Sequence, residues 1–154
     1  MRERPVLDQL NIVVTDMEAM AGFYKRLGVS FPVGPREWAA WEPHHRNSEP
    51  GEGLQVDLDS SAFASQWNAG WPAGRTGIVI GFRVSSRAAV DELCAELIEA
   101  GHACQQPPYD TFWGSRYAVV TDPDGNSVGL MSPRDPAMVS APPAPPAPPS
   151  NSED

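Results

Sequence analysis

The hydrophobic pattern of the chain occurs twice, each time as a strand-like segment followed by a helix-like one. Residues 8–15 alternate apolar and polar positions, and an apolar stripe with helical spacing follows: Met20, Phe23, Tyr24 and Leu27. About 70 residues later, 78–84 is a second such strand, with a second stripe: Val90, Leu93, Cys94, Leu97 and Ile98. Asp16 and either Ser85 or Ser86 are the predicted N-caps, and Gly28 and Gly101 are the predicted ends.

Each predicted helix is followed by three strand-like segments. They are 29–33, 37–41 and 53–59 in the first half, and 102–105, 116–121 and 126–131 in the second, with 122–125 (DPDG) as a hairpin turn. The pattern predicts an α+β domain over 1–132. Two tandem βαβββ units, 6–59 and 77–132, would form a curved, cup-like mixed sheet with helices on its outer face. Residues 60–76 would be a linker with room for one short helix.

Three of the predicted strands are apolar on one face and mixed on the other. Period two places Leu10, Ile12 and Val14 under the helices. The mixed sets point away from the helices: Gln9, Asn11 and Val13; Gln55, Asp57 and Asp59; Val79, Gly81 and Arg83. A sheet that curls round its uncovered face makes a cup, and concave surfaces of this kind bind small molecules.

Charge and composition narrow the possible partners. The net charge of −9 disfavours nucleic acid and anionic membrane surfaces, although most acidic side chains are expected to be solvated surface. The chain has no apolar stretch long enough to span a membrane and no secretory pattern at its start. Its two cysteines, Cys94 and Cys104, fit a reduced protein of the cytoplasm better than a disulfide scaffold.

The segment 133–154 differs from the rest, because it carries the run Ala-Pro-Pro three times over 141–149. Such a tract favours extended polyproline II and cannot form a packed core. We therefore expect a disordered tail, either a spacer or a docking peptide.

Four motifs in order resemble the vicinal oxygen chelate superfamily, which includes glyoxalases, extradiol dioxygenases, epimerases and bleomycin-resistance proteins. Segment 7–16 (LDQLNIVVTD), followed by Phe23-Tyr24 and Leu27-Gly28, is similar to the first unit of that fold. Segments 112–116 (FWGSR) and 122–126 (DPDGN) are similar to its closing hairpin. The resemblance covers about 6–132. Trp-Gly followed by Arg before DPDGN is frequent in the antibiotic-binding members.

The resemblance also implies where a metal ion would be held. In metal-using members the four ligand positions carry His, His, Glu and a further acid; here they are Gln9, Val79, Gly129 and Asp57. Divalent ions of this class need imidazole or carboxylate ligands, and only Asp57 supplies one. We expect no metal and no other cofactor. His44 and His45 point to opposite faces if they lie in a strand, and since 42–53 is predicted to be a loop, we expect both at the surface.

The tryptophans are the second indication of a ligand site, since none lies on the helical stripes. Large aromatic side chains outside a core often line ligand clefts. Trp67 and Trp71 are expected to anchor the linker, and at least one of them to do only that. The predicted ligand-binding residues are Gln9, Asn11, Trp38, Trp41, Gln55, Asp57, Arg83, Phe112, Trp113 and Arg116.

The leading hypothesis is a metal-independent binding protein for an aromatic small molecule, cationic ones included. By resemblance, the ligand could be a drug such as a bleomycin-type antibiotic, sequestered as a means of resistance, and the protein would be a homodimer. The alternatives are a metal-dependent lyase, isomerase or dioxygenase with displaced ligands, and an interaction module that acts through the proline tail.

Overall fold

A computed structural model describes residues 3–51 and 53–146. The strands are β1 Val6–Val14, β2 His45–Asn47, β3 Gln55–Ser60, β4 Gly77–Arg83, β5 Cys104–Asp110, β6 Arg116–Thr121 and β7 Ser127–Met131. The helices are α1 Met17–Arg26, α2 Ser61–Trp67 and α3 Arg87–Glu99, with 3₁₀ helices over Arg36–Trp41 and Pro136–Met138. None of the described helices combines the length and apolar character needed to cross a membrane.

Within the described residues the strands form one seven-stranded mixed sheet in the order β2-β3-β1-β4-β7-β6-β5. The two first strands of the predicted units, β1 and β4, pair antiparallel at the centre. Each also pairs in parallel with the last strand of its own unit, β1 with β3 and β4 with β7. The predicted α+β fold with two related halves is therefore confirmed, and the two halves meet along β1 and β4.

Local signals set the helix boundaries where the sequence predicted them. Asp16 caps α1 by accepting from the Ala19 amide at 3.0 Å, and Ser86 caps α3 by accepting from Ala89 at 3.1 Å. Gly28 and Gly101 follow the helices with φ of +89° and +97°, which is the left-handed region that glycine adopts without strain.

The two long helices cover one face of the sheet. α1 packs on β3 and encloses a core that contains Ile12, Val14, Met17, Ala21 and Leu58. α3 packs on β5, β6 and β7, over a second core that contains Val84, Val90, Cys94, Ala118 and Leu130. The opposite face carries a third, mostly aromatic cluster, and this face lines the cup.

Two of the strands predicted in the first unit are absent from the structure. Residues 29–35 form no strand, because Pro32 and Pro35 lack the backbone N–H that a ladder requires. Arg36–Trp41 is a 3₁₀ helix instead of the predicted strand over 37–41. Trp38 and Trp41 lie three residues apart, so they share one side of this helix. A short strand, β2, lies instead within the segment predicted to be a loop.

Residues 133–146 belong to the segment predicted to be a disordered tail, and several of them bond to the domain. The Asp135 amide donates to the Gly114 carbonyl and the Ser140 amide to the Phe112 carbonyl, both at 2.9 Å. Extended proline-rich backbone cannot build a core of its own, but its free carbonyls and amides can bond to a neighbouring domain. Residues 147–154, the rest of the predicted tail, lie outside the described residues.

Candidate functional site

The cup encloses a cavity of about 470 Å³ between the two units. Its floor comes from the polar face of β1 and β3, and aromatic side chains from α2, the 3₁₀ helix and β6 stand around it. Arg83, Asp8 and Arg134 also line it. The Arg83 guanidinium lies 3.7 Å from the Asp8 carboxylate. The cavity therefore has a polar half, an aromatic half and both signs of charge.

Two buried carboxylates are the main chemical feature of the floor. Asp57 is 3% exposed and Asp59 0%, and the two-residue spacing on β3 turns both toward the cavity. Charged side chains are rarely buried unless other groups pair with them. The contacts of these two residues therefore decide what the site can bind.

Asp59 is paired with a histidine from the neighbouring strand. The register places His45 of β2 directly opposite Asp59, and His45 Nδ1 lies 2.5 Å from Asp59 Oδ1. Asn11 Nδ2 donates to the other carboxylate oxygen at 3.2 Å. Burial by itself lowers the pKa of His45, but the Asp59 carboxylate, with smaller contributions from Asp57 and Asn47, outweighs it, so the net shift of that pKa is upward. His45 and Asp59 thus form a buried ion pair.

The hydrogen-bond partners of Asp57 are side-chain amides, and the nearby cation, His45, is paired with Asp59. Gln9 Nε2 donates to Asp57 Oδ2, and Gln55 Nε2 donates to Oδ1 at 3.2 Å. Oriented by its partners, the Asn47 amide nitrogen donates to Oδ1 at 3.1 Å. Burial raises the pKa of Asp57 to about 7, and the nearby Asp59 carboxylate adds to the rise. Asp57 therefore changes charge near neutral pH.

The aromatic wall consists of Trp38, Phe63, Trp67, Trp113 and Tyr117. The His45 ring packs against two of them, with centroids 4.5 Å from Phe63 and 5.3 Å from Trp38. Trp67 is 3% exposed, and none of the residues in 3–51 and 53–146 accepts a hydrogen bond from its indole N–H. A buried donor without a partner costs stability, so this one is a candidate for bonding to a ligand.

Seven of the predicted ligand-binding residues line the cavity: Gln9, Asn11, Trp38, Gln55, Asp57, Arg83 and Trp113. They come from β1, β3, β4, the 3₁₀ helix and the loop before β6. The structure thus brings together residues that the strand alternation had assigned to one face.

Three predicted ligand residues lie elsewhere. Trp41 is 1% exposed in the aromatic core, and its indole N–H donates to the Pro143 carbonyl. Phe112 packs behind the wall, 5.3 Å from Trp38 and 5.1 Å from Trp113 between ring centroids. Arg116 bonds to Asp91 on α3 and Asp110 on β5, on the helix side of the sheet. Its even position in β6 turns it away from the neighbouring Tyr117, which faces the cavity.

His45 is the main site residue that the sequence analysis missed. The prediction that adjacent His44 and His45 point to opposite faces agrees with the structure, where His44 bonds to Ser60 and His45 to Asp59. The error was to place both at the surface, because β2 has only three residues and lies among Pro and Gly residues. Phe63 and Trp67 were also missed as wall residues; their spacing of four along a short helix was the available signal.

The four positions at which metal-using relatives carry ligands do not fit a metal ion here. Gln9 and Asp57 bond to one another, and Val79 is fully buried in the aromatic cluster. A Cβ at Gly129 would lie 2.7 Å from the Tyr117 hydroxyl, so Tyr117 occupies the space that an acidic side chain would need. In the described part of the chain, no group of three His, Cys, Asp or Glu side chains is arranged to hold an ion.

Residues 6–130 match the family model for the Glyoxalase/Bleomycin resistance protein/Dioxygenase superfamily. The chain belongs to this superfamily. The match spans both units and most of the cavity lining, which confirms the resemblance drawn from the sequence motifs. Among curated proteins, none matches the chain significantly.

Several solved structures have a similar fold at low sequence identity. An NAD-dependent benzaldehyde dehydrogenase from Legionella pneumophila superposes with a TM-score of 0.59 at 19% identity, covering 80% of this chain and 96% of that one. Methylmalonyl-CoA epimerase from Mycobacterium tuberculosis gives 0.53 at 20%, covering 84% and 88%. The Mn(II)-bound glyoxalase from Novosphingobium aromaticivorans gives 0.54 at 19%, covering 85% and 39%. These likenesses concern the fold.

Proposed function

We propose that this glyoxalase superfamily member binds an aromatic, cationic small molecule in its cavity without a metal ion. The observation that carries the proposal is the buried Asp57, which faces an aromatic wall, has amide partners and forms no ion pair with any described residue, since the nearby His45 is paired with Asp59. A ligand cation placed there would supply the missing counter-charge, and the tryptophan faces would stack on its ring. A cavity of about 470 Å³ is of the size that holds drug-like molecules.

The lone indole donor of Trp67 adds a second requirement for the ligand. A ligand with an oxygen or nitrogen acceptor that reaches this buried N–H would satisfy it. Trp67→Phe should then weaken the binding of such a ligand by about fivefold, the effect of one hydrogen bond. A ligand without an acceptor should bind both proteins alike.

The primary test is quenching of tryptophan fluorescence by matched pairs of aromatic compounds. Benzamidine and benzamide have nearly the same shape, but only the first is a cation, and larger fused-ring amidines and amides extend the series. Cations should bind at least about tenfold more tightly than their neutral counterparts, and Asp57→Asn should remove the preference. Saturable binding of both members with equal affinity, or no saturable binding at all, would refute the proposal.

Metal independence has its own test. Protein purified without added metal or chelator should contain no near-stoichiometric Zn, Ni, Mn or Fe. Such an ion, lost on Asp57→Ala, would instead establish a metal-dependent lyase, isomerase or dioxygenase. Bleomycin-type antibiotics belong in the ligand panel, since sequestration of such a drug is the resistance role that the sequence resemblance implies.

A proton-transfer enzyme is the second candidate function. It is favoured by the Asp57 pKa of about 7, because an acid that titrates near working pH can both take up and release a proton. Compounds that bind in the fluorescence screen would be incubated with the protein in D₂O and followed by NMR. Deuterium incorporation by wild type but not by Asp57→Asn would establish this function.

Location and assembly complete the proposal. Cys94 and Cys104 are both free thiols, which supports a reducing compartment such as the cytoplasm. A homodimer is proposed because large apolar side chains such as Phe23 and Leu27 on the outside of α1 are 57% and 68% exposed. Light scattering measures the assembly state directly, and a monomer at working concentration would refute the dimer.

A further inference from the structure

Residues 139–146 of the proline segment lie against the domain, and the two half-buried prolines among them are three residues apart. Polyproline II has three residues per turn, so every third residue faces the same side. Pro142 and Pro145 are half-buried, while the residues between and around them, Ala141, Pro143, Ala144 and Pro146, are exposed. The Ala-Pro-Pro repeat therefore has the period that places one proline of each described triplet, 141–143 and 144–146, against the domain.

The domain supplies the contacts by which proteins recognise such peptides. The Trp41 indole N–H donates to the Pro143 carbonyl at 2.5 Å, and the Phe112 carbonyl accepts from the Ser140 amide at 2.9 Å. Aromatic grooves that donate hydrogen bonds to exposed carbonyls are the general mode of proline-rich recognition. Trp41 is 1% exposed, so the domain and the segment together bury its ring.

The two parts of the domain that bond to the segment, the 3₁₀ helix and the loop before β6, also contribute residues to the aromatic wall of the cavity. Trp38 and Trp41 belong to the same 3₁₀ helix, and Trp113 follows Phe112 directly. Trp38 packs on Phe112 with 5.3 Å between the ring centroids. Gly114 is pressed against the start of the segment, since a Cβ there would lie 2.6 Å from the Asp135 carbonyl oxygen. The segment thus joins two wall elements that no strand pairing joins.

We propose that the surface around Trp41 and Phe112 is a polyproline II recognition site, that its occupant is the chain's own 139–146 segment, and that this docking holds the Trp38 and Trp113 wall of the cavity closed. The tether keeps the segment at a high effective concentration near its site, so docking within the chain prevails over docking of a segment from elsewhere. The inference does not depend on what the cavity binds.

The test compares two full-length variants of identical composition. Pro142→Ala/Pro145→Ala removes the prolines that face the domain, and Pro143→Ala/Pro146→Ala removes the same number from the exposed side and keeps the carbonyl at 143. Hydrogen exchange of the Trp41 indole N–H and the Ser140 amide, measured by NMR, reports docking. The Trp71 indole N–H, which donates to the Arg75 carbonyl at 3.0 Å, reports that the domain remains folded.

In the inward-face variant we expect exchange at Trp41 and Ser140 to be about tenfold faster than in wild type, with Trp71 unchanged. The outward-face variant should stay within about twofold of wild type. Equal acceleration in both variants, or in neither, would overturn the recognition site. Trp41→Phe removes the donor but keeps an aromatic ring, and it should also accelerate hydrogen exchange of the Ser140 amide. An unchanged exchange rate at Ser140 would count against the proposal even if the proline variants fail to fold.

Two further measurements address the peptide and the wall. A synthetic peptide of sequence VSAPPAPPAPPS, added in excess to the inward-face variant, should restore slow exchange at Trp41; no restoration would contradict recognition of a polyproline II segment as such. The NMR shifts of the Trp38 ring, which packs on Phe112 with 5.3 Å between centroids, should change whenever exchange at Trp41 accelerates. Fast exchange at Trp41 with unchanged Trp38 ring shifts would show that the segment does not hold the wall.

Discussion

The two units build opposite halves of one cavity from related backbones. In the first unit, the cavity faces of β1 and β3 carry polar side chains: Gln9, Asn11, Gln55, Asp57 and Asp59. The register continues these rows into β4 and β7 of the second unit, where Asn11 pairs with Val79 and Val79 with Ser127, and where Gln9 pairs with Gly81 and Gly81 with Gly129. In the second unit, small or apolar residues therefore occupy the positions that continue the polar rows of the first unit.

One side chain, Tyr117, accounts for much of the difference between the two units. Tyr117 lies over Gly129, and its hydroxyl stands where a longer side chain at that position would project. Burial raises the pKa of Tyr117, so its hydroxyl stays neutral. The first unit keeps the acids and amides of the floor, whereas the second adds Trp113 and Tyr117 to an aromatic wall that Trp38 and α2 complete. An amphipathic ligand, with charge at one end and a ring at the other, would suit this division of the cavity.

The largest effect is expected from restoring an acid in the apolar half. Gly129→Glu would force a charged side chain against the Tyr117 hydroxyl and should cost about 5 kcal/mol of unfolding free energy, through overpacking and unpaired buried charge. Chemical denaturation measures the loss. Gly53→Glu, at an exposed glycine where an added Cβ would meet no atom within 4 Å, should change stability by less than about 0.5 kcal/mol. In a Tyr117→Ala background the Glu should cost less than the sum of the single changes; strict additivity would contradict the role given to Tyr117.

The next effect concerns the acid floor and depends on pH. The folded-state pKa of Asp57 is raised to about 7 from 3.8, so its contribution to stability is present below pH 3.8 and is lost as pH rises through 7. Asp57→Asn has no group that titrates at this position. From pH 4 to pH 8 its unfolding free energy should therefore rise relative to that of wild type by up to about 4 kcal/mol. Denaturation curves at several pH values test this. The exposed Asp124→Asn is the control, and a parallel pH dependence for wild type and Asp57→Asn would contradict the assignment.

The His45–Asp59 ion pair should have a smaller effect on the unfolding free energy, and this effect also depends on pH. The pKa of His45 is raised, so its contribution is complete below pH 6.5 and is lost as pH rises through the folded-state pKa. His45→Phe should cost about 2 kcal/mol at pH 6 and less at pH 9, because Asp59 loses its charged partner. His44→Phe leaves that pair intact and should cost at most about 1 kcal/mol at pH 6. A larger loss for His45→Phe at pH 9 than at pH 6 would reverse the sign and refute the pair.

The smallest effect is expected on the outer face of the second unit. Arg116 is partly exposed in its pairs with Asp91 and Asp110, so Arg116→Ala should cost less than about 1 kcal/mol. It should also leave the affinity for a cavity ligand unchanged within about twofold, whereas Trp113→Ala should weaken that affinity. A strong loss of binding in Arg116→Ala would show that the sequence-based assignment of Arg116 to the ligand site was correct after all.

The sequence by itself determined the parts of this protein that depend on local chemistry. Asp16 and Ser86 cap helices, Gly28 and Gly101 end them, and period two in 8–15 and 78–84 separates core positions from cup positions. These signals act over a few residues, where backbone geometry and side-chain type suffice. In the second unit β4, β6 and β7 were predicted to within one residue at each end, whereas β5 extends to Asp110, well beyond the predicted 102–105. Gln9, Asn11, Gln55 and Asp57 were predicted on one face for the same local reason.

Only the tertiary structure decided which distant residues meet. His45 became a site residue because β2 pairs with β3 in the register that places it opposite Asp59, and three residues carry too little pattern to reveal a strand. Tyr117 fills the place beside Gly129 because β6 and β7 pair, a contact that no local pattern specifies. Pro143 meets Trp41 across about a hundred residues of chain. Non-local pairing depends on shape and register over the whole sheet, and the cavity, unlike its separate strands, exists only at that level.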